Sequence, residues 1–304
     1  MLLRTCFGVI VLWVLVIPDA RAATPHVNAT AVADVRTIAA GEPFHVGVLY
    51  ELDPHWHIYW RNPGDSGLPT TVQIDAPDGF EVGPVQWPRP KVFMQPGDII
   101  GYGYEKRVLL FVRVTPPKDL AAGERVRIDV SSRWLVCREL CLPGQKDMSV
   151  TLDVATDAKP ASDSLFAEWR KRLPMSVDAA TGEDGPLTGQ PEVTVESDGE
   201  GRAAFRVVMP WRQKPEEVRW LPGADPAIAI EEVEVETRGR TTTVRFSAER
   251  WPGQTPTARA LDNLALFTDG AGRTRGIAVP VGLGPLAPAA AETPGEQTNR
   301  TASP

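Results

Sequence analysis

Phe44-His-Val-Gly-Val-Leu-Tyr-Glu51 alternates along its length: Phe44, Val46, Val48 and Tyr50 fall on one side, and His45, Gly47, Leu49 and Glu51 on the other. Successive side chains of a strand point to opposite faces, so a period of two predicts a half-buried β-strand. The same period recurs outward from this run, at Val72 and Ile74, at Val108, Leu110, Val112 and Val114, at Val126, Ile128 and Val130, and at Met148, Val150, Leu152 and Val154. Turn residues separate the runs. This spacing predicts an antiparallel, immunoglobulin-like β-sandwich over residues 23–157. The 29 prolines and 26 glycines suit short strands joined by many turns.

A different pattern follows. Residues 161–173 place Leu165, Phe166, Trp169 and Leu173 on one helical face, with Ser162 or Asp163 as cap and Pro174 as stop. Residues 181–189 are polar and Gly-rich and read as a linker, so 158–189 is expected to be a helix plus linker. Period-two patterning resumes over 190–283, at Val193 and Val195, through 204–209, 218–221, 228–235 and 242–246, and again at 264–267. The fold class is therefore all-β, with two immunoglobulin-like β-sandwich domains joined by a short helix and linker. The second domain contains no cysteine and no histidine. Residues 284–304 are rich in Ala, Pro and Thr and predict a disordered tail.

The N-terminus has Arg4, an apolar run from Phe7 to Ile17, Pro18, and the small-residue pattern Ala20-Arg21-Ala22. That is the layout of a signal peptide over 1–22. Its removal takes away Arg4, Asp19 and Arg21, and moves the formal charge from −7 to −8. A mildly acidic exported chain without a basic cluster is a poor nucleic-acid binder. After residue 22 no apolar stretch reaches the roughly 20 residues of a membrane helix, so no membrane span is expected in the mature chain.

Export also decides how the cysteines are read. Cys6 falls in the signal peptide, leaving Cys137 and Cys141 in Trp134-Leu-Val-Cys-Arg-Glu-Leu-Cys-Leu-Pro-Gly144. In an oxidising compartment the two can bond to each other. A loop of about five residues makes such a bond worth only about 2 kcal/mol in the chain-entropy description, against about 4.7 for about a hundred residues. A chain of this length has a core and does not need a small staple. Short-loop disulfides are often strained, and strained or exposed ones tend to be labile. A local clip and a working redox centre both remain open on this reading. Arg138 beside Cys137 could favour a thiolate, or be a solvated arginine.

Two other clusters stand out. In His55-Trp-His-Ile-Tyr-Trp60, a strand would put His55, His57 and Tyr59 on one face and Trp56, Ile58 and Trp60 on the other. Two histidines at this spacing are fewer ligands than a zinc site uses, and no metal site is assigned. Residues 96–105 contain Gly97, Gly101 and Gly103 and read as a flexible loop carrying Tyr102 and Tyr104. Its G-x-G follows no βαβ pattern, so a nucleotide site is not indicated. No serine has the context of an activated nucleophile.

His57-Ile-Tyr-Trp-Arg61, Gly101-Tyr-Gly-Tyr-Glu105 before Val108-Leu-Leu-Phe-Val112, and Trp134-x-x-Cys137-x-x-x-Cys141-x-Pro143 occur in this order. Together they resemble the N-terminal periplasmic domain of the thiol:disulfide interchange protein DsbD, and more closely its ScsB-type relatives of the copper-sensitivity suppressor kind. The resemblance covers roughly residues 25–155, and 160–283 look like the second β domain of some ScsB-type proteins. It implies a periplasmic immunoglobulin-like domain with a redox-active pair, here Cys137 and Cys141, and no cofactor. A membrane-embedded reductase domain would supply electrons, which pass to thioredoxin-fold periplasmic proteins. It also implies an aromatic cap within residues 98–104, assigned to Tyr102 with Tyr104, and a supporting strand carrying His57 and Tyr59. The cysteine spacing is shorter than in DsbD. The expectation is a chain without the membrane and C-terminal thioredoxin-like domains, a shuttle dependent on a separate membrane-embedded reductase. The rival expectations are a non-catalytic envelope interaction module with a structural disulfide, and a copper-handling protein using both thiolates and a nearby histidine.

Overall fold

A computed structural model describes residues 25–95, 97–161 and 164–286. The expected signal peptide with Cys6, the caps Ser162 and Asp163, and the tail beyond 286 lie outside the described residues. In chain order the first half contains β1 (Val27–Ala33), β2 (Val35–Ile38), β3 (Phe44–Leu52), β4 (His57–Gly64), β5 (Thr71–Asp75), β6 (Glu81–Val82), β7 (Lys91–Gln95), β8 (Ile99–Glu105), β9 (Arg107–Thr115), β10 (Arg125–Cys137), β11 (Cys141–Val154) and β12 (Lys159–Pro160). Two helices follow, α1 (Ser164–Arg170) and α2 (Val177–Thr181). The second half contains β13 (Glu192–Ser197), β14 (Arg202–Pro210), β15 (Glu217–Leu221), β16 (Ile228–Arg238), β17 (Thr241–Arg250), β18 (Ala260–Thr268) and β19 (Thr274–Gly282).

The first sandwich packs the sheet β1-β3-β9-β6 on a larger sheet ordered β12-β2-β11-β10-β4-β8-β7, with β5 also paired to β10. Val46, Val48 and Tyr50 of β3 are buried opposite Val112, Leu110 and Val108 of β9, as their alternation requires. Strand β9 is apolar on both faces because α1 covers its outer side. Phe111 meets Phe166 edge-to-face at 5.6 Å, and Trp169 is buried in the same core. An ion-pair cluster fastens α1: Asp34 bonds His45 Nδ1 at 2.8 Å and also receives Arg170. Burial would raise the Asp34 carboxyl, but the His45 hydrogen bonds and the Arg170 charge outweigh it and hold the group below the usual range. The two sheets are also tied by polar contacts, since Tyr50 Oη pairs with Ser132 Oγ, and Ser132 donates to the Thr71 carbonyl at 2.9 Å.

The second sandwich packs β13-β14-β17-β16 on β15-β18-β19 around Phe205, Trp211, Trp220, Phe246 and Phe267. The stretch expected to be a linker contributes to this core. Leu187 is fully buried, bridges to Trp211, and donates its amide to Ala180 at the end of α2. Gly284–Leu286, expected in the tail, forms a 3-10 turn whose Leu286 is buried there too. Leu221, Leu264 and Leu266 pack with the first core, and Arg61 donates to the Asp262 carbonyl at 2.6 Å across the junction.

One segment departs from its expected form. Ile99–Glu105 is not a loop but the strand β8, paired with both β7 and β4. The turn sits earlier, where Gly97 (φ 87°) and Asp98 (φ 59°) reverse the chain. Gly103 is required in the strand for another reason: a Cβ there would lie 2.1 Å from the Ile58 carbonyl oxygen.

Candidate redox-active site

The long hairpin of β10 and β11 keeps one-to-one register from Arg125 opposite Asp153 to Cys137 opposite Cys141. The loop Arg138-Glu139-Leu140 closes it, with Arg138 N donating to Leu140 O at 3.1 Å. The cysteines are its last cross-strand pair and are joined as a disulfide, with an S–S distance of 2.00 Å and Cα atoms 4.1 Å apart. The pair is asymmetric. Cys137 is 2% exposed, whereas Cys141 is exposed.

The burial of Cys137 comes from β4. His57 lies opposite Cys137 on one side and opposite Glu105 on the other. Directly opposed residues of antiparallel strands share a face. The row Cys141, Cys137, His57 and Glu105 therefore lies on the outer face of the larger sheet, followed by Tyr59 and Gly103, with Phe93 opposite Gly101. The His57 ring packs on Phe93 at 4.8 Å and on Tyr59 at 5.2 Å. Tyr59 is 1% exposed beneath Gly67, where a Cβ would lie 2.4 Å from its ring. Burial holds the His57 imidazole below its ordinary pKa, against the opposing effect of Glu105.

The structure thus brings His57 and Tyr59 to the cysteine pair, but not Tyr102 or Tyr104. Tyr104 is opposite Ile58, and Tyr102 is opposite Val92, so both lie on the core face. Tyr102 meets Trp60 edge-on at 6.4 Å, and Tyr104 donates to the Pro88 carbonyl at 2.7 Å. Burial pushes both phenols up. The aromatic that shares the cysteine face and packs on His57 is Phe93, which the sequence alone did not single out. It sits in Lys91-Val-Phe-Met-Gln95, where three consecutive apolar residues give no alternation. Glu105, paired with Lys91 at 2.7 Å, was also missed as a member of this row.

Arg138 follows Cys137, but Glu139 binds its guanidinium at 3.2 Å, and it lies 6.0 Å over the Trp56 ring. Trp56 in turn stacks on His26 at 3.8 Å, and His26 bonds Asp53. Among the described residues, no three His, Cys, Asp or Glu side chains are grouped as ligands of a metal ion. No helix of the described residues is long and apolar enough to cross a membrane.

Residues 25–153 match the family model of thiol:disulfide interchange protein DsbD, N-terminal. Among solved structures, the N-terminal periplasmic domain of ScsB from Proteus mirabilis aligns over 88% of this chain and 96% of its own, at 17% identity and a TM-score of 0.55. The reduced n-terminal domain of DsbD from Neisseria meningitidis aligns over 48% of this chain and 96% of its own, at 16% identity and a TM-score of 0.26. No curated protein sequence matches the chain. The family match ends one residue before the last residue of β11, so it takes in the cysteine hairpin, while the ScsB alignment extends over most of both sandwiches. A disulfide with one exposed cysteine on such a domain is equipped for thiol–disulfide interchange. Residues 25–153 thus match the model of the DsbD N-terminal domain, in a chain whose two-sandwich fold is similar to that of the ScsB periplasmic domain.

Proposed function

We propose that this chain exchanges electrons with thioredoxin-fold proteins of the periplasm through Cys137 and Cys141, with a separate membrane-embedded reductase as electron source. The observation that carries this reading is the asymmetry of the pair. A partner can reach Cys141, while Cys137 is held inside by β4. Exchange proceeds by attack of a thiolate on a disulfide sulfur through a mixed disulfide. Cys141 is accordingly the sulfur that joins the partner, and Cys137 the one that resolves the intermediate. The reading calls for no cofactor, because the cysteine pair itself carries the two electrons, as two thiols when reduced and as a disulfide once they have passed on.

Phe93 takes the shielding role in place of Tyr102, because it lies on the cysteine face against His57. Leu140, 55% exposed between the two cysteines, supplies apolar surface for the partner. We assign the chemistry to residues 23–157 and a share of partner contact to 190–283, which contain no cysteine or histidine. The test is the reduction potential of the full chain in glutathione buffers. Structural disulfides lie below about −300 mV and labile ones higher. A value above that mark supports exchange, and a value well below it makes the bond a clip and removes the proposal.

A further inference from the structure

His57 has a place in the site but no role in the exchange as described. It is the cross-strand neighbour of Cys137 on the side away from Cys141, with Cβ atoms of such pairs about 4.5–5.5 Å apart. The residue is only 8% exposed, and its Nε2 is buried with no hydrogen-bond partner. Native proteins seldom leave a buried polar atom unpaired, and such a group calls for an explanation. A simple packing role does not supply one, since the ring contacts with Phe93 and Tyr59 could be made equally well by a phenyl group.

We propose that His57 accepts the proton of the Cys137 thiol when Cys137 resolves the mixed disulfide, an assignment that rests on the exchange reading above. In the reduced protein the Cys141 thiolate attacks one sulfur of the partner's disulfide. The partner's S–S bond breaks, and its other sulfur leaves as a thiolate. Cys137 then gives its Sγ proton to His57 Nε2 while its sulfur attacks Cys141 Sγ. The Cys137–Cys141 bond forms, the Cys141–partner bond breaks, and the second partner sulfur leaves as a thiolate. Two electrons have passed to the partner, and the imidazolium returns its proton to the departing thiolate or to water.

The surroundings suit this role. A thiol in apolar surroundings holds its proton more tightly than a free one, so a buried Cys137 needs a base close by. Arg138, the adjacent cation, is engaged by Glu139. The ionisable groups around His57 are Glu105 on β8, whose carboxylate is bound by Lys91 of β7, Tyr59 on its own strand, and the cysteines. Burial keeps the imidazole neutral, and therefore able to accept a proton, at pH 7. The Glu105 carboxylate opposes that burial effect and would stabilise the imidazolium once formed.

The experiment mixes the fully reduced full-length protein with glutathione disulfide between pH 5.5 and 9. Formation of the protein–glutathione mixed disulfide and its resolution are followed separately by acid quench and mass spectrometry. In His57→Gln and His57→Phe, formation should stay within about twofold of the unsubstituted protein. Resolution should slow about 100-fold at pH 7, at the lower end of what a positioned base contributes. The deficit should shrink as the pH rises past the thiol's own pKa, where no base is needed. Resolution slowed equally at every pH, or not slowed, would overturn the assignment. If the unsubstituted protein forms no mixed disulfide, the exchange reading itself has failed. A second measurement needs no variant: the resolution rate of the unsubstituted protein should fall on acidification with the midpoint at which the His57 ring titrates by NMR. A midpoint elsewhere would equally overturn the proposal.

Discussion

Gly144→Ala tests the packing that supports the cysteine hairpin from behind. Gly144 lies opposite Trp134, and a Cβ there would be 2.3 Å from the indole Nε1 and 2.5 Å from Cε2. Non-bonded carbon atoms are best at about 3.5–4.0 Å, so one of the two must move. The backbone is not the obstacle, because Gly144 is not among the residues with positive φ. Trp134 has little room to retreat. It is 3% exposed and meets Tyr50 edge-on at 5.6 Å, and Tyr50 is itself tethered to Ser132. Overpacking of this kind costs about 1–3 kcal/mol. Replacing glycine by alanine where the backbone permits returns about 0.4–1 kcal/mol by restricting the unfolded chain. The net loss should be about 1–2 kcal/mol, a fall of about 2–8 °C in Tm at about 2–4 °C per kcal/mol for a chain of this size. Urea and thermal unfolding of the oxidised protein measure it. Trp134→Phe removes the ring atoms that clash, so in the double variant the second substitution should cost less than it does alone, with a coupling of at least about 0.5 kcal/mol. A neutral Gly144→Ala with no coupling to Trp134 would show that the indole is not packed as described.

Three further outcomes follow from the site. Cys137→Ser should fold, lose at most about 2 kcal/mol of stability, and trap partners or glutathione as a lasting mixed disulfide on Cys141; failure to fold would point to a structural clip. Phe93→Ala should speed reduction of the disulfide by dithiothreitol several-fold, while Tyr102→Ala lowers Tm without changing that rate, because Tyr102 faces the core; identical reduction rates for Phe93→Ala and the unsubstituted protein would remove the shielding role. The lowered His57 pKa also sets a pH dependence. Between the ordinary histidine value, about 6.5, and the lower folded value, the unfolded chain binds a proton that the folded one refuses, so acidification through that window should destabilise the oxidised protein. Urea midpoints from pH 8 to pH 5 should therefore fall more steeply for the unsubstituted protein than for His57→Gln; parallel curves would show that the imidazole is not desolvated.

The all-β class and the two sandwiches were legible because strand periodicity is local. Val46, Val48 and Tyr50 are buried where their alternation put them, and so are Val126, Ile128 and Val130. The helix over 161–173 was placed by its apolar face, and within the described residues it spans Ser164–Arg170 with Phe166 and Trp169 turned inward. The glycines at 101 and 103 misled the reading of β8. Composition suggested a flexible loop, whereas Gly103 is there because Ile58's backbone passes too close for a side chain.

What the chain by itself determined was its strands, its turns and the two cysteines close enough in sequence to pair, because each of these depends on neighbours a few residues away. Which strand lies beside the cysteines is a different matter. The register that sets His57 opposite Cys137 joins residues 80 positions apart, and the register that sets Phe93 opposite Gly101 fixes its face. A slip of one residue would exchange every inward and outward side chain. Only the assembled sheet could therefore decide that Tyr102 points into the core, that Phe93 and His57 share the cysteine face, and that one cysteine is buried while the other is exposed.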